Sequence, residues 1–250
     1  MVTMLILILL PVAFLLPPGT GAGEIIGGWE AKPHSRPYMA YLEIQRGDKS
    51  SFCGGFLVSK NFVLTAAHCN GDKITVSLGD HNRKRVDNKL QKITVSGKIS
   101  HENYNKTTYN NDIMLLQLAE RAKLNTWVKT IDLPLTRKRV KPGMKCSVAG
   151  WGRTVARNNS TTSTTLQEVD VEVLKDDECM YSHYNASTMM CVGDPEKGKD
   201  SAKGDSGGPL VCGKMAQGIV SWGPYRPPGV YTRLSTFISW IQAMMRRLQP

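Results

Sequence analysis

The chain has 250 residues, of which 41% are hydrophobic and 21% charged, and its formal net charge is +11 at pH 7. A chain of this length suits one all-β barrel protein with a core of its own, which excludes a small scaffold held together by disulfides alone. A charge so far from zero excludes a neutral surface and favours polyanionic partners.

Residues 1–22 are typical of a secretory signal peptide. They contain no charged side chain and hold the apolar run Leu5–Leu10, and small residues lead up to Ala22. These features predict cleavage near Ala22. A membrane anchor is the alternative, but Pro11 interrupts the apolar stretch, which is short for a bilayer span. We therefore expect a secreted protein with no membrane span.

Six cysteines follow this segment, an even number that permits three disulfides in the oxidising environment of secretion. The sequence alone does not choose among the possible pairings. No pair of cysteines has Cys-x-x-Cys spacing, so a structural zinc site is not expected. No motif indicates calcium or another cofactor, and we expect none.

From Phe52 onward, short apolar runs alternate with turn residues. Strands of this length and spacing predict an all-β sandwich or barrel. The predicted strands include Gly55–Val58, Phe62–Thr65, Ile74–Leu78, Asp112–Leu116, Val169–Leu174 and Gly218–Ser221.

The last segment has a different pattern, because its apolar residues recur at helical spacing and Ser235 stands where an N-cap is expected. We predict an amphipathic helix docked on the β core. A membrane-surface helix is the alternative. The apolar stripe consists of Phe237, Ile238, Ile241, Met244, Met245 and Leu248.

Three segments carry the residues that peptide-bond hydrolysis requires: a nucleophile, a base, a group that orients the base, and donors for the oxyanion. Thr65–Cys69 offers His68 at the end of an apolar strand, and Asn111–Leu116 offers Asp112 before another. Gly204–Pro209 offers Ser206 between glycines. Each motif alone has a structural explanation, but the three together indicate a catalytic triad.

These motifs resemble the chymotrypsin family of serine proteases, which serves as a general template for the triad. The resemblance runs from Ile25 to the C-terminal helix, so it spans residues 25–250. It implies two six-stranded antiparallel β-barrels with the site in the cleft between them. It further implies that His68 is the general base and acid, that Asp112 orients it, and that Ser206 is the nucleophile. The backbone N–H groups of Gly204 and Ser206 would form the oxyanion hole.

The resemblance also implies activation of a zymogen. Ile25–Gly28 resembles the new N-terminus of the family, whose freed amine pairs with the acid before the nucleophile, here Asp205. The two residues Gly23–Glu24 resemble the activation dipeptide of granzymes, mast-cell chymases and cathepsin G. Signal peptidase cleavage at another bond is the alternative.

Further segments are similar to this granule-protease branch, namely Glu30–Ala40, Val148–Gly152 and Val211–Ser221. The pairing that the resemblance implies is Cys53–Cys69, Cys146–Cys212 and Cys179–Cys191. Ala202 stands where digestive relatives have a cysteine beside the specificity pocket.

The same resemblance places Asp200, six residues before Ser206, on the floor of the primary specificity pocket. Glycine at both Gly223 and Gly229 would leave an open slot, and a largely desolvated carboxylate would select Arg or Lys. If Asp200 instead faces solvent, chymase-like cleavage after large apolar residues is the alternative.

Other cleft positions also follow from the resemblance. Ser221 and Trp222 match the pocket wall. Tyr109 would shape the next subsite, and Lys203 would stand at the mouth and favour acidic residues past the scissile bond.

Four N-glycosylation sequons predict exposed loops, at Asn105, Asn158, Asn159 and Asn185. The adjacent pair Asn158 and Asn159 is not expected to be occupied together.

Basic clusters occur at 83–85, at 137–145 and at 246–247. In a secreted protein they favour a sulfated proteoglycan or heparin over a specific nucleic acid. The predicted protein is therefore a granule endopeptidase that acts on proteins or peptides, with serpin-type inhibitors as further partners. A cationic glycan-binding or antimicrobial protein on a protease fold is the competing function, although such proteins usually lose a triad residue.

Overall fold

The structure is a computed structural model that describes residues 27–85, 89–153, 162–201, 204–224 and 227–248. Within these ranges the chain is mainly β-strand, with two single-turn 3₁₀ helices at Ala67–Cys69 and Asp176–Glu178 and one α-helix, α1, at Leu234–Leu248. The strands are β1 (Trp29–Glu30), β2 (Met39–Arg46), β3 (Lys49–Ser59), β4 (Phe62–Thr65), β5 (Lys73–Leu78), β6 (Gln91–Ser100), β7 (Met114–Leu118), β8 (Lys145–Gly150), β9 (Gln167–Val173), β10 (Met189–Gly193), β11 (Pro209–Cys212), β12 (Met215–Trp222) and β13 (Gly229–Arg233).

The first barrel closes in the order β2-β3-β4-β7-β6-β5, with every neighbouring pair antiparallel. Its core is apolar because alternate residues along each strand point inward. In β2, for example, Ala40, Leu42 and Ile44 are buried while the residues between them are partly exposed. Closure leaves this sheet without a free edge.

The second barrel closes in the order β8-β9-β10-β13-β12-β11, since β8 pairs with both β9 and β11. The short strand β1 adds to the outer edge of β9. The two closed six-stranded antiparallel barrels confirm the fold that the resemblance implied. Asp112 and Ser206 lie on loops, His68 lies in the 3₁₀ helix Ala67–Cys69, and Ser221 and Gly229 lie on strands of the second barrel.

Helix α1 confirms the predicted C-terminal helix and packs on a core cluster to which both barrels contribute, against β7 of the first and β12 of the second. Phe237 and Ile241 are buried, and Met244, Met245 and Leu248 lie against the same cluster. The cap prediction was wrong, because the helix begins at Leu234 and Ser235 is a buried residue of its first turn. In the described part of the chain, no helix combines the length and apolar character that crossing a membrane requires.

Three disulfides join the pairs that the resemblance implied: Cys53–Cys69, Cys146–Cys212 and Cys179–Cys191. The first lies within the first barrel, and the other two lie within the second. Each closes a loop and so restricts the unfolded chain more than the folded one.

Candidate active site

The candidate histidine lies where a buried strand ends. Strand β4 is fully buried, and the chain then turns through Ala67–Cys69, whose last residue is bonded to Cys53 on β3. Arg46 adds two hydrogen bonds, from its guanidinium to the carbonyls of His68 at 2.9 Å and Asn70 at 2.7 Å. The backbone of His68 is thus held on both sides, while its side chain stays 21% exposed.

Asp112 is completely buried and faces His68 with both carboxylate oxygens. Its Oδ2 lies 2.7 Å from His68 Nδ1, and its Oδ1 accepts the His68 backbone N–H at 2.9 Å. The second barrel contributes two more donors: the Ser221 hydroxyl to Oδ2 at 2.5 Å and the Thr232 hydroxyl to the Asp112 carbonyl at 2.7 Å. This arrangement favours a proton on Nδ1 and leaves Nε2 of His68 to act as a base.

Ser206 lies on the loop before β11 and contacts the first barrel. Its carbonyl accepts the Gly54 N–H at 2.8 Å and lies 3.8 Å from the Cys69 sulfur, next to His68 in the chain. The loop is a tight turn, in which the Gly208 N–H bonds the Asp205 carbonyl at 2.9 Å. The structure therefore brings Ser206 to the loop that carries His68.

Two glycines are required by the shape of this turn. Gly207 has φ +83°, and a Cβ there would lie 2.1 Å from the Thr65 hydroxyl oxygen. Gly204 has φ +110°, and its Cβ would lie 2.8 Å from the ring of Phe52 and from the Cα of Gly152. Glycine alone combines this backbone with such close neighbours.

Asp200 is 3% exposed and lies against Gly229, which in turn lies against Gly223. A Cβ on Gly229 would be 2.8 Å from both Asp200 carboxylate oxygens, and one on Gly223 would be 3.1 Å from the Gly229 Cα. The carboxylate accepts hydrogen bonds from the Ser201 N–H at 2.6 Å and from the Tyr231 hydroxyl at 3.3 Å. The interpretation of Asp200 as a solvent-exposed loop residue is therefore wrong.

Burial raises the pKa of Asp200 to about 7, because removal from water disfavours the charged form. Hydrogen bonds from Ser201 and Tyr231 act in the opposite direction, and the charge of Asp205 adds to the rise. Asp200 is therefore a carboxyl group that is costly to ionise and that lies beside Gly229.

Aromatic rings line the cleft between His68 and the pocket. Tyr109 lies edge-on to His68, with ring centroids 5.7 Å apart, and 6.5 Å from Trp222. Tyr181 also packs near Trp222, with ring centroids 5.4 Å apart, and donates its hydroxyl to the Pro228 carbonyl at 2.7 Å. These rings form an apolar surface beside the triad.

Asp205 is completely buried and accepts the Gly152 N–H at 2.8 Å. Its predicted partner Ile25 lies outside the described residues, as do the signal peptide, the dipeptide Gly23–Glu24, and Lys203 at the cleft mouth.

Of the four sequons, the structure describes two. Asn105 is exposed, whereas Asn185 is half-buried and donates its side-chain amide to Asn110 Oδ1 at 3.2 Å. Asn158 and Asn159 lie outside the described residues.

The ligand atoms of Cys53, His68 and Cys69 lie within 4.8 Å of one another, a spacing compatible with a metal ion. The two sulfurs are bonded to each other, however, so they are not thiolates. His68 Nδ1 already faces Asp112. These three residues therefore do not form a metal site.

Comparison with known proteins agrees with this geometry. The family model for trypsin matches residues 25–241. The chain belongs to the trypsin family. It is accordingly a serine endopeptidase, a hydrolase of peptide bonds.

Several curated trypsin-family proteins match along almost their whole length. Granzyme H of Homo sapiens is 52% identical over 245 residues, covering 96% of this chain and 98% of that protein. Duodenase-1 of Bos taurus is 53% identical over 247 residues, covering 97% of each. Cathepsin G of Homo sapiens is 50% identical over 243 residues, covering 96% and 94%.

A solved structure described as "Structure of GrC" superposes with a TM-score of 0.84 at 47% identity. It covers 89% of this chain and 100% of its own. This solved structure therefore agrees with the chain in both fold and sequence.

Several contacts in this trypsin-family site were missed from the sequence. They are the Ser221 and Thr232 bonds to Asp112, the Arg46 bonds to the histidine loop, the Tyr231 bond to Asp200, and the Tyr181 contact with Trp222. Each joins residues far apart in the chain, and none belongs to a local motif.

Proposed function

We propose that this serine endopeptidase cleaves peptide bonds after Arg or Lys. The observation that carries the proposal is the buried Asp200 carboxylate against Gly229. The glycines leave space for a long side chain, and a desolvated carboxylate binds a guanidinium or ammonium strongly.

The triad residues have the following roles in the proposal. His68 Nε2 removes the proton of the Ser206 hydroxyl, which attacks the substrate carbonyl. Asp112 holds Nδ1 and stabilises the imidazolium that forms, and its complete burial strengthens that interaction. The N–H groups of Gly204 and Ser206 stabilise the oxyanion. His68 then donates its proton to the leaving amine.

A cationic substrate residue also changes the charge of the pocket. Near neutral pH the pKa of Asp200, about 7, leaves a large fraction of the carboxyl groups protonated. An approaching guanidinium favours the ionised form, so binding would release a proton. The same pKa supports the runner-up specificity, because a neutral Asp200 would admit a large apolar residue.

The test is a comparison of peptide amides that end in Arg, Lys, Phe, Leu or Asp, using protein that begins at Ile25. We expect Arg and Lys to be preferred, and Asp200→Asn to reduce their cleavage about a hundredfold while sparing Phe. A preference for Phe in the unsubstituted protein would contradict the assignment of Asp200. Labelling by a fluorophosphonate probe, lost in Ser206→Ala, checks the nucleophile independently. Failure to label the unsubstituted protein would favour the cationic binding function.

Activation is proposed to follow removal of the signal peptide and of Gly23–Glu24. The complete burial of Asp205 supports this proposal, because a buried carboxylate is stabilised by a neighbouring ammonium. Protein that retains Gly23–Glu24 should resist fluorophosphonate labelling until a dipeptidyl peptidase has acted. Equal labelling of both forms would contradict it.

The proposed partners beyond substrates are a sulfated proteoglycan or heparin and serpin-type inhibitors, with storage in a secretory or cytolytic granule. The basic clusters differ in how they could bind a polyanion. Arg83 pairs with Asp80 at 2.6 Å and Glu43 at 2.7 Å, so its charge is largely compensated. Arg137 contacts Ser239 of α1, and Arg139 pairs with Asp176 only at 3.8 Å. The exposed segment 137–139 therefore supports polyanion binding better.

A further inference from the structure

The side chain of Asn110 connects the two barrels at one end of the cleft. It lies on the cleft loop, residues 101–113, between β6 and β7 of the first barrel. Its Oδ1 accepts the Thr188 hydroxyl at 2.7 Å and the Asn185 side-chain amide at 3.2 Å. Both donors precede β10 of the second barrel, so we call these two hydrogen bonds the Asn110 latch.

The backbone around Asn110 is strained. Tyr109 and Asn111, its two neighbours, each have φ +57°. Residues other than glycine rarely adopt this left-handed backbone conformation, and they do so where surrounding contacts hold the backbone in place. Inside the loop, the Asn105 N–H donates to the Asn110 carbonyl at 3.0 Å, and Asn111 Nδ2 donates to the Asn103 carbonyl at 2.9 Å. The Asn110 latch adds a restraint on this loop from the second barrel.

This restraint sets the position of Tyr109. Its ring contacts His68 and faces Trp222, at centroid distances of 5.7 and 6.5 Å. Asn110 follows Tyr109 directly, so a shift of the strained loop would move that ring relative to the triad. A peptide lying along the cleft from Ser206 would pass this aromatic surface.

We propose that Asn110 is a positioning residue that sets the subsite formed by Tyr109 and Trp222. Through the latch it governs binding of peptides that extend several residues before the scissile bond. The proposal rests on the proposed roles of His68 and Ser206 but not on the assignment of Asp200.

The test uses matched pairs of variants on each side of the latch. Thr188→Val removes the hydroxyl at similar volume, whereas Thr188→Ser keeps it. Asn110→Ala removes the acceptor, whereas Asn110→Asp keeps an oxygen that can accept both hydrogen bonds. Because Asn185→Ala also removes a sequon, Ser187→Ala is its control: it removes the same sequon and leaves the Asn185 side chain in place.

Two amide substrates are compared for each variant, a single acylated residue and a tetrapeptide that ends in the same residue. That residue is whichever the unsubstituted enzyme cleaves best. For Asn110→Ala we expect the ratio of kcat/KM for the long and short substrates to fall about tenfold, through KM. Thr188→Val and Asn185→Ala should each lower it about threefold, while Thr188→Ser, Asn110→Asp and Ser187→Ala stay near the original ratio.

Fluorophosphonate titration gives the fraction of active enzyme in each preparation. The proposal is overturned if Asn110→Ala and Thr188→Val leave the ratio unchanged, or if both substrates lose activity equally. If Asn110→Ala does not fold, the two Thr188 variants and the Asn185→Ala and Ser187→Ala pair test the proposal in its place. Absence of labelling in the unsubstituted enzyme would instead overturn the proposed function, and the latch proposal with it.

Discussion

The Asp200 carboxylate lies directly against Gly229, with both oxygens 2.8 Å from the place that a Cβ on that glycine would occupy. Real Cβ atoms essentially never come so close to another heavy atom, so the carboxylate occupies space that the missing side chain leaves open. Asp200 and Gly229, the proposed floor and wall of the specificity pocket, are therefore packed as one unit, and a change at either residue alters both.

Gly229→Ala should abolish the preference for basic residues. The new methyl group would displace the carboxylate and fill the slot, which removes a charge-assisted contact with the substrate. We expect kcat/KM for Arg and Lys substrates to fall about a hundredfold. Steady-state kinetics on peptide amides measures this. Retained labelling by a fluorophosphonate would show that the triad is intact, and an unchanged Arg preference would contradict the position of Asp200 in the pocket.

The preference for Arg should depend on pH because the pKa of Asp200 is raised to about 7. Below that pH the free enzyme carries a neutral carboxyl, which attracts a guanidinium less. We expect the ratio of kcat/KM for Arg and Phe substrates to rise as pH increases from 5 to 9, with its midpoint near 7. The ratio cancels any pH effect on the catalytic steps that both substrates share. A flat ratio would contradict the raised pKa.

The same group should make the protein less stable as pH rises. Its folded pKa lies above the value of about 3.9 expected in the unfolded chain, so the folded state binds the proton more tightly. The contribution of this proton to the free energy of unfolding is fully present below pH ~3.9 and is lost as pH rises through about 7. The corresponding free energy is at most ~4 kcal/mol.

Asp200→Asn isolates that contribution, since the amide keeps the acceptor oxygen but does not titrate. At pH 8 the variant should be more stable than the unsubstituted protein by up to a few kcal/mol, and at pH 4 the two should be alike. Urea unfolding at both pH values measures the difference. Equal stability at pH 8 would show that the carboxylate is better solvated than its burial indicates.

Two glycines form a matched pair: Gly207 lies in the turn around the nucleophile, and Gly213 lies in the turn between β11 and β12. Gly207 and Gly213 have φ of +83° and +66°, but only Gly207 has neighbours that would clash with a Cβ. Gly213→Ala should cost about 1 kcal/mol, the penalty of the backbone conformation alone. Gly207→Ala should cost at least ~3 kcal/mol or prevent folding. Chemical unfolding separates the two, and equal costs would contradict the packing against Thr65.

Apolar runs and apolar spacing in the sequence predicted strands and the C-terminal helix well where an element coincides with its apolar residues. The run Phe62–Thr65 is a strand with the predicted bounds, and the apolar spacing near the C-terminus predicted α1. Bounds were missed where a strand extends beyond its apolar run: Gly55–Val58 is the C-terminal part of β3, which begins at Lys49 and ends at Ser59. The prediction of Ser235 as the N-cap was wrong, because the helix already begins at Leu234 and Ser235 is buried in its first turn.

The sequence by itself indicated Ser206 as the candidate nucleophile, because that serine stands between glycines in Gly204–Pro209. It also indicated His68 and Asp112 as partners, which lie 44 residues apart. Only the tertiary structure decided what surrounds them. Ser221 and Thr232 donate to Asp112 from 109 and 120 residues away.

Only the tertiary structure decided, too, the burial of Asp200, the compensation of Arg83 and the connection from Asn110 to the other barrel. These properties depend on which side chains the closure of two barrels brings together. Burial and charge act through space, so a pKa near 7 or a hydrogen bond across a cleft has no signature in the order of residues.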